Sequence, residues 1–149
     1  GPTVINKYYK ERDFCVDSEG WFDTGDIGNL DNDGYISLTD RSKDLIKSGG
    51  EWISSIQLEQ IIRRHPKVYD ASVIGIKDKK WGERPLVVAE IEKNANASEG
   101  EILDYFKDKI AKWQIPDKVI FVDELPLSST GKPLKNKLRD KYFDQFVKE

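Results

Sequence analysis

Methionine is absent from this 149-residue chain, and cysteine and histidine occur once each, at Cys15 and His65. A lone cysteine builds neither a disulfide framework nor a cysteine-ligated metal cluster, and it fits a reducing compartment, so a cytoplasmic protein is expected. No apolar run approaches the ~20 residues of a membrane-spanning helix, and no secretory leader is visible at the start. An excess of one charge sign is missing too. The chain carries 24 Lys and Arg against 27 Asp and Glu, a net charge of −3. Bulk electrostatics therefore argues neither for a nucleic-acid partner nor for an anionic membrane. The length suits about one domain.

What the chain does have is concentrated at Thr39–Ser54, where Asp40, Arg41, Lys43 and Asp44 crowd into five positions ahead of Leu45-Ile46 and Gly49-Gly50. Arg41 is a permanent cation with a planar fork of donors, suited to phosphate or ribose oxygens. Adjacent glycines let a backbone turn sharply or pass close to a ligand. On composition alone, a salt-bridged hairpin with a glycine turn explains the same residues. Upstream, Asn29, Asp31, Asp33, Gly34 and Asp40 fall in the order of an EF-hand loop. That reading fails on context. The last position has the shorter Asp, and residues 35–39 alternate as a strand rather than opening a helix. Asn32-Asp33-Gly34 is then a hairpin turn.

The rest of the chain alternates. Residues 1–18 read as extended or turn-rich. Leu45-Ile46 and Trp52-Ile53 are the arms of a second hairpin around Gly49-Gly50. Ser54 and Gln57 form a capping box for a helix whose apolar face is Leu58, Ile61 and Ile62, with His65 in its last turn and Pro66 stopping it. Residues 73–76 and 86–91 are short strands separated by a polar loop over 78–85. A second capping box, Ser98 to Glu101, opens a helix with Ile102, Leu103, Phe106, Ile110 and Trp113 on one side and Pro116 at its end. Residues 119–122 form a strand. Pro133 suits the first turn of a final helix, along which Leu134, Leu138, Tyr142 and Phe146 recur. Hairpin, helix, strand, strand, helix, strand, helix predicts an α+β fold, a small sheet flanked by helices and preceded by a β-hairpin segment.

Gly131-Lys132 invites comparison with a phosphate-binding P-loop. Pro126 stands where that motif needs its first glycine and Pro133 where it needs a hydroxyl residue, so a Walker-type NTPase is excluded. A lysine on a flexible loop at a helix start remains.

Three stretches together carry a family resemblance. Residues 20–26, GWFDTGD, residues 40–55, DRSKDLIKSGGEWISS, and residues 125–135, LPLSSTGKPLK, resemble, in order, three motifs of the adenylate-forming superfamily. The central stretch is most similar to fatty-acyl-CoA ligases of that superfamily, and the WGE at residues 81–83 is similar to a family segment too. The resemblance implies that the chain is a C-terminal piece of a longer enzyme. Residues 1–42 would be the closing edge of the N-terminal adenylation domain and residues 43–149 the mobile C-terminal domain. It implies Asp26 and Arg41 on ATP or AMP, Lys43 as hinge, Gly49, Gly50 and Glu51 facing CoA, and Lys132 as the catalytic lysine of adenylation. Mg2+ would bind with ATP in the missing N-terminal domain, and no metal ligand is assigned here. Lys79, Lys80, Arg84, Lys109 and Lys112 are candidate contacts for CoA phosphates, with none singled out. The implied reaction joins a carboxylic acid to ATP as an acyl-adenylate and then passes the acyl group to CoA. The piece alone is expected to be inactive. A ligase for a short branched or aryl acid, or a stand-alone α/β binding module, are the alternatives.

Overall fold

The computed structural model describes residues 3–146. The chain divides into two compact units, one ending at Lys43 and the other beginning at Asp44. In the first, residues 3–18 are turns and bends, and an isolated bridge joins Val16 to Phe22. The strands β1 (Asp26–Leu30) and β2 (Ile36–Arg41) pair antiparallel. Asp31 closes the turn between them, its carboxylate accepting from the backbone N–H of Asp33 and Tyr35 at 3.0 and 2.8 Å. The acidic spacing that imitates a calcium loop is thus an Asx-type turn.

The second unit is a five-stranded sheet with helices on both faces. Strands β3 (Ile46–Ser48) and β4 (Glu51–Ile53) form the glycine hairpin. Helix α1 (Ser55–Ile62) follows, with the Ser54 hydroxyl accepting from the Gln57 N–H. Strands β5 (Val68–Asp78) and β6 (Gly82–Ile91) pair antiparallel along their whole length. Helix α2 (Glu99–Asp104) leads through a 3-10 turn at Lys112–Gln114 to β7 (Lys118–Val122), which runs parallel to β6. Helix α3 (Lys135–Tyr142) closes the fold.

Both faces of β5 and β6 are covered, so their apolar residues run continuously instead of alternating with polar ones. Val73, Val87 and Ala89 point to one cluster with Leu58 and Ile62 of α1, Ile102 of α2, and Phe106. Ile74, Leu86 and Val88 point to the other, with Leu138 and Tyr142 of α3. The α+β expectation holds. Strands β5 and β6 are longer than the expected segments because Gly82–Pro85 belongs to β6, leaving only a tight turn at 79–81.

Three local expectations are corrected. His65 lies beyond α1 rather than in its last turn. The helix ends at Ile62, and the His65 Nδ1 accepts the Lys67 N–H at 3.2 Å in the turn that follows. The second helix stops at Asp104, because tighter three-residue turns follow and Asp108 takes a left-handed φ of 63°. Aspartate tolerates that conformation better than most residues. Phe106 stays fully buried, whereas Trp113 leaves the stripe and is 45% exposed. Pro133 precedes α3 and bridges Leu127, so it shapes the loop rather than the helix.

Among the described residues the outer edge of β5 has no strand beside it, and three of its backbone groups find other partners. Glu59 accepts the Val73 N–H at 2.8 Å, Arg63 donates to the Ala71 carbonyl at 2.8 Å, and the Lys77 N–H donates to the Phe143 carbonyl at 3.0 Å.

Candidate active site

In the first unit, Asp26 and Arg41 are register partners across β1 and β2. The Arg41 Nε lies 3.2 Å from Asp26 Oδ1. The turn before Asp26 is held by its own side chains, with Gly25 N–H on Asp23 and Asp26 N–H on Thr24. The structure therefore brings together the two residues expected on the nucleotide. A carboxylate has about four lone-pair sites, so the pair leaves Asp26 able to accept from hydroxyl groups as well. Lys43 is exposed and is the last residue of this unit.

In the second unit, the β3–β4 turn uses positive φ at both central residues, 60° at Gly49 and 93° at Gly50, as a two-residue hairpin of this kind demands. The two glycines have different surroundings. A Cβ on Gly49 would lie 2.7 Å from the Trp81 ring, whereas nothing lies within 4 Å of one on Gly50. The 81–83 segment clamps this hairpin. Trp81 carbonyl accepts the Gly49 N–H at 2.7 Å, Gly82 pairs with Ser48, and the Glu83 carboxylate accepts the Lys47 N–H at 3.1 Å.

A groove of about 560 Å³ opens here, lined by Ser48, Gly49, Glu51, Trp81, Arg84, Trp113 and Asp117. Arg84 builds its floor. Its Nε and Nη2 donate to Asp117 Oδ1, Nη1 to Ser48 Oγ and the Trp113 carbonyl, and Nη2 also to the Ile115 carbonyl, all within 2.7–3.0 Å. All five guanidinium N–H groups are thereby used. Arg84 is a brace and leaves the set of candidate phosphate contacts. Trp81 and Trp113 stand 46% and 45% exposed at the groove, ready to offer flat apolar surface to a ligand. The spacing of a helical stripe predicts a core position for Trp113. The helix stops at Asp104, and the turns that follow, with the left-handed Asp108, take Trp113 off that stripe.

Lys132 sits on a third structure, a loop that bonds to itself. Ser128 N–H donates to the Lys132 carbonyl at 2.8 Å, Lys132 N–H to Ser128 Oγ at 3.1 Å, and Gly131 N–H to the Ser128 carbonyl at 2.9 Å. The side chain is exposed at the tip of this braced loop.

Residues 57–132 match the family described as AMP-binding enzyme C-terminal domain. The chain belongs to that family. This AMP-binding enzyme C-terminal domain is 55% identical over 144 residues to a 3-methylmercaptopropionyl-CoA ligase of Ruegeria lacuscaerulensis, covering 97% of this chain and 27% of that protein. It is 51% identical to a medium-chain-fatty-acid–CoA ligase of Ectopseudomonas oleovorans, covering 97% of this chain and 26% of the relative. Among solved structures it resembles o-succinylbenzoate CoA synthetase of Bacillus subtilis bound to its acyl-adenylate intermediate, with a TM-score of 0.84 and 39% identity over 94% of this chain and 29% of that one. The chain thus spans about a quarter of the length of these relatives. The resemblance to the adenylate-forming superfamily read from three motifs holds.

Proposed function

We propose that this AMP-binding enzyme C-terminal domain works as part of an AMP-forming acid–CoA ligase. Residues 1–42 would finish the N-terminal adenylation domain and residues 43–149 form the mobile domain, pivoting at Lys43. The observation that carries the reading is the presentation, within one unit, of two separate devices: an exposed lysine on a braced loop and a glycine turn opening on a tryptophan-walled groove.

Each device suits one half of the reaction. When a carboxylate attacks the α-phosphate of ATP, two anions approach and charge builds on the phosphoryl oxygens. The Lys132 ammonium, fixed in place beforehand, offsets that charge and orients the carboxylate. Asp26 would accept from the ribose hydroxyls while Arg41 holds it in position. In the second half, the thiol arm of CoA would pass Gly50, whose open side leaves room for it, and Glu51. Trp81 and Trp113 would pack against flat or apolar parts of CoA. Magnesium bound to the ATP phosphates would share the charge neutralisation. ATP and CoA supply points to the cytoplasm.

A fatty acid is the substrate we favour, because the relatives include medium-chain and long-chain fatty-acid–CoA ligases at 51% and 43% identity. The test is Lys132→Ala in the full-length protein, with the two half-reactions measured apart. Acyl-adenylate formation should fall about 10²–10³-fold, the usual cost of losing a preorganised charge donor, with transfer from supplied acyl-adenylate to CoA retained. Equal loss in both halves would make Lys132 a structural residue. A panel of fatty, branched and aryl acids, including 2-succinylbenzoate, fixes the substrate class.

A further inference from the structure

Helix α3 begins with a lysine and has no side-chain cap, its N-cap being Leu134. A cation in the first turn opposes the helix dipole, so Lys135 is at the unfavourable end. The structure shows what holds it there. The Lys135 Nζ reaches back to α1, 2.9 Å from Glu59 Oε1 and 2.7 Å from Ser55 Oγ, and its side chain is only 13% exposed. Glu59 is itself buried and accepts from Ser72 and Val73 of β5. One turn further along α3, Arg139 pairs with Asp44, the first residue of this unit, at 2.9 Å. Two ties a turn apart keep α3 from sliding or swivelling on the sheet.

Lys135 is three residues from Lys132. Between them the chain is closed: Leu134 N–H donates to the Pro126 carbonyl at 2.7 Å, and Leu127 bridges Pro133. The loop is therefore a stiff unit with two footings. Leu125, 2% exposed, is one, and Lys135 is the other. We propose that Lys135, through Ser55 and Glu59, is a positioning residue that sets where the Lys132 ammonium stands during adenylation. This rests on the proposed role of Lys132.

The test uses the full-length protein and both half-reactions. Lys135→Met should lower acyl-adenylate formation about 10–100-fold, the range that small misplacements of a catalytic group produce, with CoA transfer changed less than about twofold. Cutting one partner leaves the buried Glu59 with only the longer pair to Arg63, at 3.6 Å, so Glu59→Gln with Lys135→Met provides a neutral pair in which Gln keeps an acceptor for Val73. This double variant should fold and show the same selective loss, while Lys135→Arg should recover most of the rate. On a Lys132→Ala background, Lys135→Met should cost nothing more, because a residue acting only through Lys132 has nothing left to act on. Equal loss in both half-reactions, or a further loss on that background, overturns the inference. So does an unchanged Lys135→Met beside an impaired Lys132→Ala. An unimpaired Lys132→Ala instead sinks the proposed function, and the role of the tie with it.

Discussion

Gly49 and Gly50 are neighbours with the same backbone handedness and different obligations. Gly49→Ala would drive a methyl group to 2.7 Å from the Trp81 ring at a φ of 60°, so it should lower thermal stability by about 1–2 kcal/mol or more. Gly50 faces open space, and its substitution carries only the conformational cost. Calorimetry on both variants should show the larger loss at Gly49. In the full-length protein, Gly50→Leu should impair transfer to CoA while adenylation stays intact; loss of both together would leave Gly50 a turn residue only. His65 is a second residue with a measurable signature. Burial pushes its pKa below 6.5, partly opposed by Glu101 at 3.8 Å and reinforced by Lys67 and Lys109. Tyr105 packs edge-on against the ring. The folded state therefore binds this proton less readily than the unfolded chain. Stability is full above 6.5, falls as pH drops below it, and levels off beneath the folded pKa. Glu101 adds to the fall at lower pH, since the hydrogen bond from Lys67 holds its pKa below 4.5. His65→Gln should flatten the decline that sets in below pH 6.5 in denaturant titrations, leaving the lower carboxylate-driven part.

Among the elements, the sheet and its hairpins were legible from local chemistry, because turn residues and caps act over a few positions. Ser54 and Ser98 cap as their spacing indicates, and Gly49-Gly50 turns as adjacent glycines do. What stayed hidden was set by distant partners. Spacing alone puts Trp113 in the core, but α2 stops at Asp104 and turns follow; composition alone makes Arg84 a free cation, but three segments claim its donors. Ser48 of β3, the turn carrying Trp113 and Ile115, and Asp117 ahead of β7 all converge on it. Arg84→Met should cost about 1–3 kcal/mol by stranding the buried Ser48 hydroxyl and several half-buried acceptors, and it should loosen the groove as well. Chemical denaturation measures the first effect and tryptophan fluorescence of the groove the second. The local pattern places Lys135 only within a motif, since its tie to Glu59 spans 76 positions of sequence that no local pattern connects.

At the scale of the whole molecule, the second unit holds two apolar clusters of its own on the two faces of one sheet. Residues 44–149 expressed alone should unfold in a single cooperative transition; a broad, non-cooperative melt would mean that the first unit is needed. The 149-residue chain should form no acyl-CoA from fatty acid, ATP and CoA, and clear turnover would contradict its proposed place in a larger ligase. No helix among the described residues is long and apolar enough to cross a membrane. The partners gathered by the outer edge of β5 have a further consequence. An eleven-residue strand with a bare flank is a template on which a strand of another molecule can add itself. Here Glu59, Arg63 and the end of α3 occupy three of the backbone groups, at Val73, Ala71 and Lys77, that such an intruder would need. Glu59 and Arg63 therefore guard against aggregation, and their removal would show in the solubility of freshly made chains even where the fold survives.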